Sequence, residues 1–232
     1  MTLPANPQHL QPAALAAPQR LWDWPVRICH WSMVALIAAC WWTAEEHEIV
    51  YHSYCAYALL GVVVFRIYWG FFGSSTARFS QFLRAPRAVL AYVKTLSQRD
   101  VKPASGHNPL GGYSVLALLF IVLLQIVLGL FSIDVDGFDG GPYADFLSFK
   151  TSRMITEWHE ITFNVLLGLI ALHIIAILYY RLWRRQNLTA SMLHGKAIAP
   201  ISAPMQSASA LRLVVGLVLA ALVVGLVGWY KP

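Results

Sequence analysis

Apolar residues dominate five long stretches of this chain: Ile28 to Ala44, Tyr51 to Phe72, Tyr113 to Ile133, Trp158 to Trp183 and Leu211 to Trp229. Each is near the roughly 17 to 25 residues that a helix needs to cross a bilayer core. None alternates with the two-residue period of a barrel strand, and only helices or closed barrels satisfy their own backbone hydrogen bonds in lipid. The pattern predicts an all-α membrane protein, a four-helix transmembrane bundle plus a fifth C-terminal transmembrane helix. The polar intervals divide it into a disordered tail at 1–20, the bundle at 21–185, a linker at 186–210 and the fifth span at 211–232.

Composition agrees: 58% of the 232 residues are hydrophobic and 12% charged, against about 25% charged in an average soluble domain. The tail is rich in Pro, Ala and Gln and lacks the basic start, apolar centre and cleavage site of a signal peptide. Fourteen of the seventeen Lys and Arg residues fall in the tail, in 74–108, in 184–210 or at the adjoining helix ends, and nine of the eleven acids fall on the opposite side. Positive charge marks the cytoplasmic side, so the N-terminus is expected inside and the C-terminus outside. The net charge of +6 is thereby explained by topology and gives no reason to expect a nucleic-acid partner.

Histidines inside such spans are costly to bury and are functional hypotheses by default. The fourth span carries His159 and His173, fourteen residues apart, which is about 21 Å along a helix and nearly four whole turns. Both rings should share one face. With successive helices alternating in direction, His30 and His173 fall near the inner surface, while His52 and His159 fall near the outer one. Haem iron takes two axial ligands from opposite faces of the porphyrin, and bundle cores commonly hold such cofactors between helices. Two b-type haems fit two level pairs. A zinc site would need three or four close ligands. His47 is the substitute for His52, and His9 and His194 read as solvated.

Other residues refine the picture. Arg66 lies fourteen residues beyond His52 on the same face, where it either snorkels to the inner interface or meets an anion such as a cofactor carboxylate. Gly111 and Gly112, leading into the third span, and Gly129 within it permit close approach of a flat ligand or of another helix. Cys29, Cys40 and Cys55 match no zinc or disulfide spacing and read as packing residues; Val26 stands where covalent haem attachment would need the first Cys of C-x-x-C-H. The stretch RAPRAVLAYVKTL reads as a short interfacial amphipathic helix. The outer loop DVDGFDGGPYADFLSFKTSRM lacks the length and terminal Glu of an EF-hand, and its Asp134, Asp136 and Asp139 read as a docking surface.

Four stretches carry a family resemblance: RICHW; H-x-x-x-A-Y-A-L-L-x-x-x-x-F-R-x-x-W-G-F-F-G-x-x-x-A-R-F from His52; GHNPLGGYSVLALL; and WHEITFNVLLGLIALH. In order and spacing, from about Arg20 to Arg185, the chain resembles the bacterial cytochrome b561 and nickel-iron hydrogenase cytochrome b subunit family. Ala56 stands where that family often has Gly. The resemblance places haem ligands on His30, His52, His159 and His173 and implies electron exchange in the bacterial inner membrane. The expected partners are the quinone pool and a periplasmic redox protein, whether a hydrogenase, another dehydrogenase or a c-type cytochrome. Two functional alternatives stand beside this: a self-contained superoxide:quinone oxidoreductase, and a haem-stabilised membrane anchor of a redox complex. Inner candidates for the quinone are Arg66, Arg78, His107 and Asn108; outer ones are Glu157 and Glu160, and the inner side is favoured. No soluble catalytic domain is visible, so a hetero-complex or homo-oligomer is expected.

Overall fold

The computed structural model describes residues 19–99, 101, 106–198 and 204–229. The expected disordered tail, His9 included, lies outside the described residues as far as residue 18. Among the described residues the helices are α1 (Trp24–Glu45), α2 (Ile49–Phe72), α3 (Phe79–Phe82), α4 (Pro86–Val93), α5 (Pro109–Phe131), α6 (Phe149–Leu182), α7 (Leu188–His194) and α8 (Ala210–Gly228). Five of them, α1, α2, α5, α6 and α8, are long and apolar enough to span a membrane.

All five spans begin ahead of their apolar runs, and the caps of α5 and α6 show why. Helix α5 starts at Pro109 because Asn108 caps it, its Oδ1 accepting from the Gly111 N–H at 2.7 Å. Helix α6 starts at Phe149, where Ser148 Oγ accepts from the Thr151 N–H at 3.2 Å. The loop expected to run to Met154 therefore ends at Ser148. With 34 residues, α6 is about 51 Å long, against a bilayer core of about 30 Å, so it is several turns longer than a span needs, and its polar residues Lys150, Thr151, Ser152 and Arg153 fall in the first turns. At the start of α1, Asp23 does two jobs: Oδ1 accepts from the Val26 N–H at 3.0 Å, and Oδ2 accepts from Trp69 Nε1 at 2.8 Å. One carboxylate thus caps α1 and ties it to the end of α2.

Helices α1 and α2 pack as one hairpin, and α5 and α6 as another. The hairpins join through Leu59, Leu60 and Val63 of α2 against Ile121, Val122 and Ile126 of α5, with Leu166 of α6 completing the cluster. Helix α6 makes no comparable backbone approach to α1 or α2, which leaves space along that side. The fifth span, α8, lies along α2 on the outside of the bundle: Gly216 sits under Tyr68 and Phe65, Gly61 faces Val224, and Ala220 is buried.

The two ends of the bundle differ in charge, and they are called here the acidic end, with the turn at 46–48 and the loop at 132–148, and the basic end. At the basic end, helix α7 lies within the expected linker. Helix α7 stops at Gly195, whose φ of 73° suits a glycine, and the Gly195 carbonyl accepts from the N–H groups of Leu21 and Trp22 at 2.8 and 3.2 Å. Arg27 of α1 donates to the carbonyls of Met192 (3.2 Å) and Leu193. The amphipathic helix expected near residues 84–96 is α4, with Leu90 and Val93 exposed. It is moored to the end of α6: the Tyr92 and Tyr180 hydroxyls are 2.5 Å apart, and Arg184 Nη2 donates to the Thr95 carbonyl at 2.5 Å.

Gly70 of α2 lies directly under the Phe79 ring, only 2.2 Å from where a Cβ would stand. Gly70→Ala is expected to displace that ring and to destabilise the protein by about 1–3 kcal/mol, as overpacking does. A thermal midpoint in detergent that falls below that of the parent chain would show it; an unchanged midpoint would mean that Phe79 moves freely.

Candidate functional site

Helix α6 carries His159 near the acidic end and His173 near the basic end. The structure brings His159 opposite His52 of α2, with ring centroids 6.3 Å apart and planes at 76°. It brings His173 opposite His30 of α1, with centroids 6.4 Å apart and planes at 49°. Both pairs bridge the side of the bundle where α6 stands off from α1 and α2. Two imidazoles bound to one metal from opposite sides, through bonds of about 2 Å and with each centroid a little over 1 Å behind its nitrogen, would show about this separation. A direct hydrogen bond between the rings would bring the centroids about 1 Å closer.

Ring orientation at the acidic end is fixed from behind. His52 Nδ1 lies 2.8 Å from the Cys40 carbonyl, and His159 Nδ1 lies 3.0 Å from the Gln125 carbonyl. A carbonyl only accepts, so each Nδ1 carries the proton and each Nε2 keeps its lone pair for a metal. Thr162 Oγ1 donates to Gln125 Oε1 at 2.5 Å, bracing the same segment of α5. Gly129 gives His159 its room, since a Cβ there would stand 3.1 Å from the ring. A cavity of about 490 Å³ opens around this pair, lined by Cys40, His52, Ala56, Gln125, Gly129 and Phe163 among others. That volume is within the range of small-molecule and cofactor sites.

At the basic end the signal is chemical rather than volumetric. Among the described residues, His30 Nδ1, Arg66 Nη1, Ser74 Oγ and His107 Nδ1 are buried without a hydrogen-bond partner. Arg66 is only 4% exposed, with its guanidinium 5.5 Å from the Phe79 ring centroid. A buried cation is expensive unless an anion or several acceptors meet it. This is no snorkelling arginine. Its burial fits the carboxylate of a group held between His30 and His173.

His107 is clamped between Trp22 and Phe82, with ring centroids at 4.6 and 4.5 Å. Burial, and then the charge of Arg66, push its pKa down to about 3, so it is neutral at physiological pH. The other inner quinone candidates are engaged: Arg78 Nε donates to the Gly73 carbonyl at 2.9 Å, and Asn108 Nδ2 donates to the Tyr180 hydroxyl at 3.0 Å while its oxygen caps α5. On the other side Glu160 lines the cavity, and Glu157 is exposed one turn earlier. His47 stands exposed in the α1–α2 turn at φ 60°, its Nδ1 donating to the Glu45 carbonyl at 3.0 Å, and His194 is exposed at the end of α7. Gly111 adjoins the Asn108 cap and Gly112 packs on Phe82, so helix contacts account for both. The three cysteines are free thiols, and Cys40 contributes its carbonyl.

Among the described residues no three His, Cys, Asp or Glu side chains converge on a metal position. The chain offers donors two at a time, which suits a metal whose other ligands come with it, as a porphyrin supplies them to iron. The residues therefore fit haem.

Comparison with known proteins agrees. A family model described as prokaryotic cytochrome b561 matches residues 21–195, most of the chain's length. No curated protein matches, and no solved structure does. The match takes in α1 to α7, ten residues beyond the end read from the sequence, and leaves out α8.

Sequence reading overlooked Gln125, although a lone amide inside an otherwise apolar run was a visible signal. Gly129→Val should push the His159 ring aside and lower the haem content of the protein. A pyridine haemochrome content below the parent value would bear this out; full retention would mean that the ring has slack.

Proposed function

Because the chain belongs to the prokaryotic cytochrome b561 family, membrane proteins of haem-based electron transfer, we propose that His30 and His173 hold one haem b and His52 and His159 a second. The observation that carries this reading is the pair of facing imidazoles, at 6.3 and 6.4 Å, repeated at two depths of the bundle. Bound haem supplies one-electron exchange, and two of them at different depths give electrons a route across the bilayer. The chain's own contribution is placement. The carbonyls of Cys40 and Gln125 set the tautomer of His52 and His159, and the buried Arg66 would meet an acidic group of the haem at the basic end.

The excess of Lys and Arg around α3, α4 and α7 supports a cytoplasmic basic end, with the N-terminus inside and the C-terminus in the periplasm of a bacterial inner membrane. Electrons then pass between the quinone pool and a periplasmic redox protein. We assign quinone exchange to the basic end, where neutral His107 has an unused Nδ1 beside the buried cation Arg66. A neutral imidazole both donates and accepts, as a quinone and quinol require in turn.

His52→Ala and His173→Ala should each lose one haem and keep the other, giving about half of the parent haem per chain with different residual spectra. Loss of both haems in each variant, or of neither, would break the two-level assignment. In quinol oxidation assays, His107→Ala should slow haem reduction about tenfold or more, as expected for a lost proton-exchange group, whereas Glu160→Gln should leave it near the parent rate. The reverse result would move quinone exchange to the acidic end.

A further inference from the structure

The segment joining α5 to α6 is an ordered platform. Arg153 Nη1 donates to the Ile133 carbonyl at 2.8 Å, Thr156 Oγ1 lies 3.0 Å from the Ile133 N–H, and the wholly buried Ser152 donates from Oγ to the Ala144 carbonyl at 3.1 Å. All three side chains come from the first turns of α6, which carry Lys150 and Arg153 ahead of the apolar run. Upon this base stands a tight turn, closed by an antiparallel bridge between Ile133 and Gly140 and by the Asp134 N–H donating to the Asp139 carbonyl at 2.7 Å. Gly137, at φ 78°, makes the reversal and backs onto Phe149.

The turn holds its apolar residues outward. Val135 is 73% exposed and Phe138 86% exposed, and they alternate with Asp134, Asp136 and Asp139 within six residues. Folding gains nothing from an aromatic ring held in water on a braced turn. Lowering the turn into lipid would carry three carboxylates with it, which is unfavourable. An exposed aromatic within a polar rim is how anchor residues of protein interfaces are arranged.

We propose that Val135 and Phe138 are the anchor of a docking surface for a soluble electron-transfer protein whose contact face is an apolar patch ringed by Lys or Arg. The partner's charge follows from complementarity with Asp134, Asp136 and Asp139, reinforced by Glu45, Glu46 and Glu48 at the same end. The proposal rests on the periplasmic placement of this end given above. The aspartates steer the encounter; the two apolar side chains hold it.

The test uses haem-loaded protein in nanodiscs, reduced chemically and freed of reductant, and mixed with ferric mitochondrial-type cytochrome c, a basic protein with lysines around its exposed haem edge. One electron passes from the reduced protein to the ferric cytochrome, and the second-order rate is followed against ionic strength. Phe138→Ser and Val135→Ser should each lower the rate about five- to tenfold with an unchanged salt slope, as for anchor residues. The triple change Asp134→Asn, Asp136→Asn, Asp139→Asn should flatten the salt dependence. Haem content should not change in any variant. Phe138→Ser reacting at the parent rate would overturn the proposal, as would a parent protein that passes no electrons to the cytochrome. Quenching of Phe138→Trp emission by brominated lipid would overturn it too, because the turn would then lie in the bilayer. Failure of quinol to reduce the haems while the cytochrome reaction persists would count against the quinone reading alone.

Discussion

Everything in this fold depends on keeping four imidazoles inside apolar helices and facing each other in pairs. An imidazole in lipid has no water to satisfy it, so each ring must be held by the protein or by what the protein binds. The chain meets this with two tight hairpins joined mainly through α2 and α5, so that α6 stands off from α1 and α2 by the width that the facing rings define. Close packing in one place leaves separation in another. The small side chains of Gly129 and Ala56 and the carbonyls of Cys40 and Gln125 serve that separation at the acidic end.

The two ends solve the problem differently. At the acidic end the backbone satisfies the rear of each ring, and the rings are complete as donors before anything binds. At the basic end several polar atoms, those of His30, Arg66, Ser74 and His107, are buried and unmet. Such a cluster is destabilising by itself, since each unmet group costs free energy on burial. Binding at the basic end should therefore contribute more to folding than binding at the acidic end, because there the bound group also relieves an electrostatic penalty.

Much of this was legible in the sequence because lipid leaves few choices. Five apolar runs gave five spans, and fourteen-residue spacings placed His159 with His173, and His52 with Arg66, on common faces. Helix starts were less legible. Tyr113 and Trp158 mark where lipid contact begins, whereas Asn108 and Ser148 mark where the helices do. The cap signals were in the sequence, but apolar periodicity does not report them. The engagement of Asn108 and Arg78 was hidden for another reason. Both meet partners fixed only by tertiary packing, Tyr180 in α6 and the carbonyl of Gly73. The ordered connector at 188–195 was also hidden, because it opens a Ser-, Ala- and Pro-rich stretch, 186–210, that reads as a linker until its carbonyls find Leu21, Trp22 and Arg27.

That connector has a consequence for how the protein is made. The Gly195 carbonyl that receives the N–H groups of Leu21 and Trp22, and the α7 carbonyls that receive Arg27, are synthesised only after the residues of four spans. At about 5–20 residues per second, the first span waits roughly 10–35 s for the segment that clasps its start. During that interval α1 is without its latch, and His30 has no His173 to face. Assembly of the pair at the basic end is therefore a late event, and that end closes like a ring whose last link joins its first.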